Sequence, residues 1–235
     1  MTTRLLAVET SSEACSVALC IGDEIDEVFE LAPMRHAELL LPAVRLLLAR
    51  ADQALAGLDA IAFGRGPGSF TSLRIGIGVV QGLAWGAELP VVPVSSLASA
   101  AQAAAEGAAT EGAAASVSRI RVALDARMQE VWTADFDTDG NGLVRLHGEE
   151  RVCAPSALAA DPAVPFIAAG NGFERFEALS ALGRQAARCD PEAWPRAATV
   201  IRLANDWLRH NEPLPAAQAQ PTYIRNNVAE KPKAP

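Results

Sequence analysis

The feature that most constrains the fold is a three-strand pattern that occurs twice along the chain. Apolar alternation and short turns predict a first set of strands over 5–9, 15–21 and 25–31. The same signals predict a shortened second set over 120–124, 130–136 and 143–147. Strands joined by turns this short pair as an antiparallel meander. The chain is therefore expected to contain two topologically similar halves.

The segments between and after the meanders complete an α/β pattern. They predict helices over 36–52, from the glycine-rich turn to about residue 85 and over 199–210, and strands over 58–63, 91–94 and 164–168. An Ala-rich stretch, 98–118, predicts a helix that frays into a connector. Strands that alternate with helices in this order form a mixed sheet covered by the helices. We therefore expect the duplicated α/β fold of actin, hexokinase and Hsp70 (the ASKHA fold), whose members bind nucleotide between their halves.

The expected division of the chain has three parts. Residues 1–100 form a first half with interface helices, 101–210 a shortened second half, and 211–235 a tail that is partly disordered. Helix 199–210 can belong to the second half or pack back on the first. At 235 residues the length suits two compact units.

The composition limits the classes of function that fit this chain. The formal net charge is −8 and the sequence pI is about 5.0, and cationic phosphate contacts supply most non-specific affinity for nucleic acids. If RNA is the substrate, another subunit should therefore hold it. The first apolar run is too short for a signal peptide or a membrane span, which predicts a cytoplasmic protein. The four cysteines lack CxxC spacing and the three histidines are scattered, which argues against a metal site.

The glycine-rich turn over 64–78 is the most distinctive local motif. Its glycines allow positive φ angles and close backbone approach. It is not a P-loop, because no Lys-Ser or Lys-Thr follows the last glycine, and it does not meet the GxGxxG spacing. Ser69 does not lie in the GxSxG pattern of a serine nucleophile. The turn could form an anion-binding site or a docking surface for a partner, and the sequence leaves both interpretations open.

The residues after the first predicted strand are candidate ligand contacts. Thr10, Ser11 and Ser12 offer hydroxyls and backbone N–H groups that could receive a phosphate. The alternative is a hydroxyl-rich turn that satisfies its own backbone. In the second half, Asp125 and Arg127 fit a cleft wall or a solvated turn equally well.

The two helices around the glycine turn carry the candidate interface. Apolar residues of helix 36–52 cover an arc of roughly 220°, about twice what a surface helix needs. Small residues recur along the next helix, where close approach of another backbone would offset the cost of glycine. The alternative is tight packing within the monomer. The candidate interface residues are His36, Leu39, Leu40, Ala43, Leu47, Phe70, Ser72, Leu73, Arg74, Gly76, Gly78 and Gly82.

Several of these motifs together resemble the bacterial TsaB family, also called YeaZ. The matching segments are LAVETS at 6–11, RHAE at 35–38, GPGSFTSLRIG at 66–76, DAR at 125–127, EVW at 130–132 and PTYIR at 221–225. Ser72 stands where many relatives have glycine.

The resemblance implies a non-catalytic scaffold that activates the transferase TsaD, which makes N6-threonylcarbamoyladenosine at position 37 of tRNAs that decode ANN codons. It also implies that the ATPase TsaE joins the pair, that TsaB alone forms homodimers, and that ATP or ADP binds at the junction of the complex rather than firmly to this chain. TsaD has a metal-binding HxxxH motif; the matching positions here are Ser96 and Ala100. The alternatives from other classes are a nucleotide-cleaving or phosphotransfer enzyme of the ASKHA class and a metallopeptidase.

Overall fold

Two five-stranded sheets form the framework of the protein. The computed structural model describes residues 3–111, 117–159 and 164–224. The first sheet contains β1 (Arg4–Glu9), β2 (Ala14–Ile21), β3 (Glu24–Leu31), β4 (Ala60–Gly64) and β5 (Val91–Val94). Its strand order is β3-β2-β1-β4-β5. The first three strands pair antiparallel, and β4 and β5 continue the sheet parallel to β1.

The second sheet repeats this topology. It contains β6 (Arg119–Asp125), β7 (Val131–Thr138), β8 (Val144–Cys153), β9 (Phe166–Ala169) and β10 (Arg188–Asp190). Its order, β10-β9-β6-β7-β8, again combines an antiparallel meander with two added parallel strands. The predicted two-half α/β fold is thus confirmed. The short β10 was missed, because a three-residue strand gives no periodic signal.

Six α-helices in the described part of the chain cover the sheets. They are α1 (His36–Arg50), α2 (Phe70–Gly86), α3 (Ser96–Thr110), α4 (Gly172–Arg175), α5 (Glu177–Gly183) and α6 (Ala197–Trp207). Helices α1 and α2 pack on the outer face of the first sheet, and α6 packs on its inner face. Helix α3 packs on the inner face of the second sheet, and α4 and α5 lie on its outer face. Because α3 and α6 contact each other, they form the layer between the two sheets.

Helix α6 is fixed to the first sheet by a partly buried polar cluster. Glu27 of β3 accepts hydrogen bonds from Arg196 (2.6 Å), from the hydroxyl of Ser16 (2.7 Å) and from the N–H of Ala198 (3.0 Å). The Ser16 hydroxyl in turn accepts from the N–H of Ala197 (2.9 Å). These contacts satisfy N–H groups at the start of α6 that have no partner within the helix.

The Ala-rich segment differs from the prediction. Instead of fraying, α3 runs unbroken to Thr110 and buries a row of alanines against the second sheet. Gly107 does not interrupt it, and the side chain of Arg188 lies beside this position. The division expected between residues 100 and 101 falls inside this helix, and part of the expected connector (112–116) lies outside the described residues.

The segment after α6 lies along the first half. The N–H and C=O of Leu214 both bond to Val91 at the sheet edge, and Gln81 of α2 donates to the carbonyl of Ala219 (2.8 Å). These contacts tie residues 211–224 to the first half. The remainder of the predicted tail, 225–235, lies outside the described residues.

The orientation of α1 corrects the proposed interface. Leu40 and Leu47 are 0% exposed, and Ala43 and His36 are also buried. They face the first sheet, and a hydrogen bond joins His36 Nε2 to the Ala14 carbonyl (3.2 Å). These residues are therefore unavailable to a partner.

Two candidates on α2 are buried in the same way. Leu73 is 0% exposed, and Gly76 lies against Thr10. Leu39 and Ser72 are half-buried, whereas Phe70, Arg74, Gly78 and Gly82 are exposed.

Candidate functional site

A cleft of about 830 Å³ lies between the two halves. Residues 11–13 and the glycine turn with the start of α2, residues 67–72, line it from the first half. Residues 124–127, Asn171 and Arg175 line it from the second half. The structure thus brings together the glycine turn, the hydroxyl turn and the Asp125–Arg127 segment, which the sequence indicated separately.

The glycine turn is held against the hydroxyl turn by its backbone. Gly66 has φ +91°, a left-handed conformation that favours glycine. A Cβ at Gly68 would overlap the backbone of Ser11, and the N–H of Ser69 donates to the Ser11 carbonyl (2.7 Å). Glycine at position 68 is therefore required for the two turns to meet.

The three predicted ligand contacts occupy different positions. Thr10 is buried and donates its hydroxyl to the carbonyl of Ser72 (3.0 Å), so it braces α2. Ser12 lines the cleft, and its hydroxyl oxygen accepts from the N–H of Ala14 (3.1 Å). Ser11 also lines the cleft, although its side chain is buried. Whether any of them contacts a ligand stays a prediction.

A buried carboxyl lies beneath these turns. Glu9 is 1% exposed and accepts hydrogen bonds from the N–H of Ser11 (2.7 Å) and the hydroxyl of Ser96 (2.8 Å). Burial raises the pKa of Glu9, and the hydrogen bonds from Ser11 and Ser96 partly oppose that rise. Gly64 leaves the space for this side chain, since a Cβ there would overlap the carboxyl group.

An ion cluster crosses the cleft. Glu13 Oε1 in the first half lies 3.0 Å from Arg127 Nη2 and 3.3 Å from Arg175 Nη2 in the second. Both arginines also pair with Asp125, which raises the pKa of Arg175. Glu13 and Arg175 were missed by the sequence reasoning. Glu13 directly follows the hydroxyl run and could have been included, whereas nothing in the local sequence marks Arg175.

At the mouth of the cleft, Arg74 is held by its own chain. Its guanidinium lies 3.9 Å from the centre of the Phe70 ring, and its Nε donates to the Tyr223 hydroxyl (3.0 Å). The rings of Phe70 and Tyr223 are 5.5 Å apart. The segment after α6 thus completes this edge of the cleft.

The exposed side of α2 carries a row of glycines. Gly78, Gly82 and Gly86 are exposed, and a Cβ added at any of them would meet no atom within 4 Å. Trp85, 73% exposed, lies beside this row, and Leu41 and Leu46 of α1 are also exposed. We call these six residues the outer helix face.

Comparison with known proteins decides the family. Residues 28–233 match the family described as "TsaD: tRNA N6-adenosine threonylcarbamoyltransferase". The chain is 37% identical to the tRNA threonylcarbamoyladenosine biosynthesis protein TsaB of Escherichia coli (strain K12), over 97% of both chains. The chain belongs to the TsaB family. A TsaB of Haemophilus influenzae is also 37% identical, over 97% of this chain and 95% of that protein.

Solved structures agree with membership of the TsaB family. YeaZ from Pseudomonas aeruginosa is 39% identical and covers 94% of this chain and 100% of its own, with a TM-score of 0.82. A crystal structure described as an uncharacterized protein with similarity to peptidase YEAZ from Pseudomonas aeruginosa gives 40% identity, 95% and 100% coverage and a TM-score of 0.84. The resemblance seen in the sequence motifs is confirmed.

The positions that match the TsaD histidines have structural roles in this TsaB-family chain. Ser96 is 0% exposed; its hydroxyl donates to Glu9 and accepts from the N–H of Gly66 (3.2 Å). Ala100 is buried in the core between α3 and the second sheet. Within the described ranges, no three His, Cys, Asp or Glu side chains are grouped so that they could hold a metal ion. None of the described helices is long and apolar enough to cross a membrane.

Proposed function

We propose that this chain is a non-catalytic subunit of the cytoplasmic machinery that makes N6-threonylcarbamoyladenosine in tRNA, and that it acts by binding the transferase TsaD. The observation that carries the proposal is the 37% identity to the E. coli TsaB biosynthesis protein over 97% of both chains. The match to the TsaD family over residues 28–233 supports pairing between two related folds.

The residues at the positions of the TsaD histidines support a role without catalysis of the transfer. TsaD binds its metal with two histidines. At the matching positions of this chain, the hydroxyl of Ser96 is already hydrogen-bonded and the methyl group of Ala100 is buried in the core. Neither Ser96 nor Ala100 can replace an imidazole ligand. The transfer step is therefore assigned to the partner, and this chain holds that partner in a competent geometry.

We assign the docking surface to the outer helix face. Its open glycine row allows another helix to approach closely, and its exposed Trp85, Leu41 and Leu46 supply apolar area. The same face would serve the homodimer. TsaE would join at the resulting junction, with ATP or ADP bound there and tRNA held by the other subunits.

The test uses arginine on the glycine row. Gly78→Arg and Gly82→Arg add bulk and charge where the monomer has open space, so folding should be preserved. Gly140→Arg is the matched control, because Gly140 lies in the β7–β8 turn of the second half and is equally open. Each variant is mixed with TsaD, and the mass of the complex is measured by light scattering.

The expected result is loss of the complex for both α2 variants and retention for the control. In cells depleted of TsaB, nucleoside mass spectrometry should show modified tRNA restored by Gly140→Arg and not by Gly82→Arg. An intact complex with both α2 variants would reject this surface. Failure of the unaltered protein to bind TsaD or to restore modification would reject the function.

A further inference from the structure

The cleft contains a cationic pair whose anionic partner comes from the opposite half. Arg127 and Arg175 belong to the second half, and Glu13 of the first half contacts both through one carboxylate oxygen, at 3.0 and 3.3 Å. Asp125 contacts both from their own side. All four residues line the cleft.

The turn that carries Arg127 is built in an unusual conformation. Arg127, Met128 and Gln129 have φ angles of 61°, 52° and 58°, three consecutive left-handed residues without a glycine. The Asp125 carboxylate accepts from the N–H of Arg127 (2.8 Å), and the N–H of Asp125 donates to Asn171 Oδ1 (2.9 Å). Backbone strain of this kind persists only where the surroundings fix it, and it clusters at ligand sites.

We propose that Arg127 and Arg175 form a site for a phosphate-bearing anion, and that the chain's own Glu13 fills it. A guanidinium binds carboxylate and phosphate oxygens with the same geometry, so Glu13 stands where a phosphate group would be held. Without Glu13, two positive charges face the single carboxylate of Asp125, and the pair has a net attraction for an anion.

This internal anion has a direct consequence for the cleft. Glu13 both repels an incoming phosphate and joins the two halves across the opening. A second contact between the halves, Arg65 to Glu150 at 3.0 Å, keeps them together when the first is broken. Glu13 therefore acts as an autoinhibitory latch. This inference does not depend on the proposed pairing with TsaD.

The test compares Glu13→Gln with a matched control. Glu174→Gln removes the same charge from an exposed position adjacent to Arg175 in sequence. Inorganic triphosphate is titrated into the full-length protein by calorimetry, and thermal melting checks the folding of each variant. Glu13→Ala serves as a second variant, because the Glu13 side chain is 29% exposed and its loss should not unfold the protein.

We expect Glu13→Gln to bind triphosphate at least about tenfold more tightly than the unaltered protein and Glu174→Gln. Adding Arg175→Met to Glu13→Gln should abolish the gain. Hydrogen exchange over residues 11–16 and 125–131 should accelerate in Glu13→Gln alone. The latch is overturned if both folded Glu13 variants bind no better than the control, or if the unaltered protein already binds as tightly.

Discussion

The two sheets share one strand order, yet the layers that cover their outer faces differ. On the first sheet this layer consists of α1 and α2, with 15 and 17 residues; on the second it consists of α4 and α5, with 4 and 7. The shared topology shows that each half follows the same rules of strand pairing. The difference shows that the two halves diverge in the layer that covers the outer face of each sheet.

The surfaces of the two halves also differ, in that an apolar face is exposed on one and charged pairs lie on the other. The first half presents the outer helix face, with open glycines and exposed apolar side chains. On the second sheet, cross-strand ion pairs join Arg121 to Asp135 (2.7 Å) and Arg119 to Asp137 (2.6 Å). Charged pairs of this kind disfavour an apolar partner. The contrast favours the first half as the docking side.

The test with the largest expected effect asks whether α1 is part of the core or a docking helix that can leave the first sheet. Leu47→Ala should lower the free energy of unfolding by about 2–5 kcal/mol, because it leaves a cavity beneath the outer layer. Leu46→Ala, on the exposed side, should change it by less than about 0.5 kcal/mol. Urea denaturation measures both values. Equal effects would mean that α1 is oriented differently from the structure described here.

A second test separates the two faces of α2. Gly76→Ala would press a methyl group into Thr10 and should destabilise the protein by about 1–3 kcal/mol. Gly82→Ala meets no atom and should stabilise it by about 0.5–1 kcal/mol, because alanine is the better helix former. Thermal melting of the two variants should shift in opposite directions. A gain at both positions would contradict the contact between Gly76 of α2 and Thr10.

The smallest effect concerns pH. Because the pKa of Glu9 is raised above 4.5 by burial, its contribution to stability is complete below that pH and is lost as pH rises through the folded value. Arg119 lowers the pKa of Asp137 below 3.8, so the stability from this residue is present above that pH and is lost as pH falls. Glu9→Gln should remove the first dependence and Asp137→Asn the second.

The measurement is unfolding by urea from pH 3 to pH 8. Relative to the unaltered protein, Glu9→Gln should gain stability toward neutral pH. The stability that Asp137→Asn loses relative to the unaltered protein should be smallest at acid pH. A Glu9→Gln curve parallel to that of the unaltered protein would show that the buried carboxyl does not titrate differently on folding.

Much of the fold could be predicted because its signals are local. Apolar residues in β1 to β3 and in β6 to β8, with turn residues between them, mark each strand within about ten residues, and β9 is a short apolar run. The helices that span three or more turns were found for the same reason. Helices α4 and α5 were not, since four and seven residues are too short to show a helical period.

The cleft was predicted only in part. Ser11, Ser12, Asp125 and Arg127 line it, at or just after the end of the first strand of each meander, although the sequence left a solvated turn equally open for Asp125 and Arg127. The rotation of α1 could not be predicted, because apolar residues cover most of its circumference and leave two faces equally plausible as the buried one. The structure chose the face with Leu40 and Leu47.

By itself the sequence determined the two meanders, the glycine turn and the family, since each depends on residues that are close together in the chain. Only the tertiary structure decided which residues that are far apart in the chain come into contact. Glu13 and Arg175 are 162 positions apart, and Arg74 and Tyr223 are 149 apart. Contacts at such separations depend on the packing of whole sheets and helices, and no local pattern encodes them.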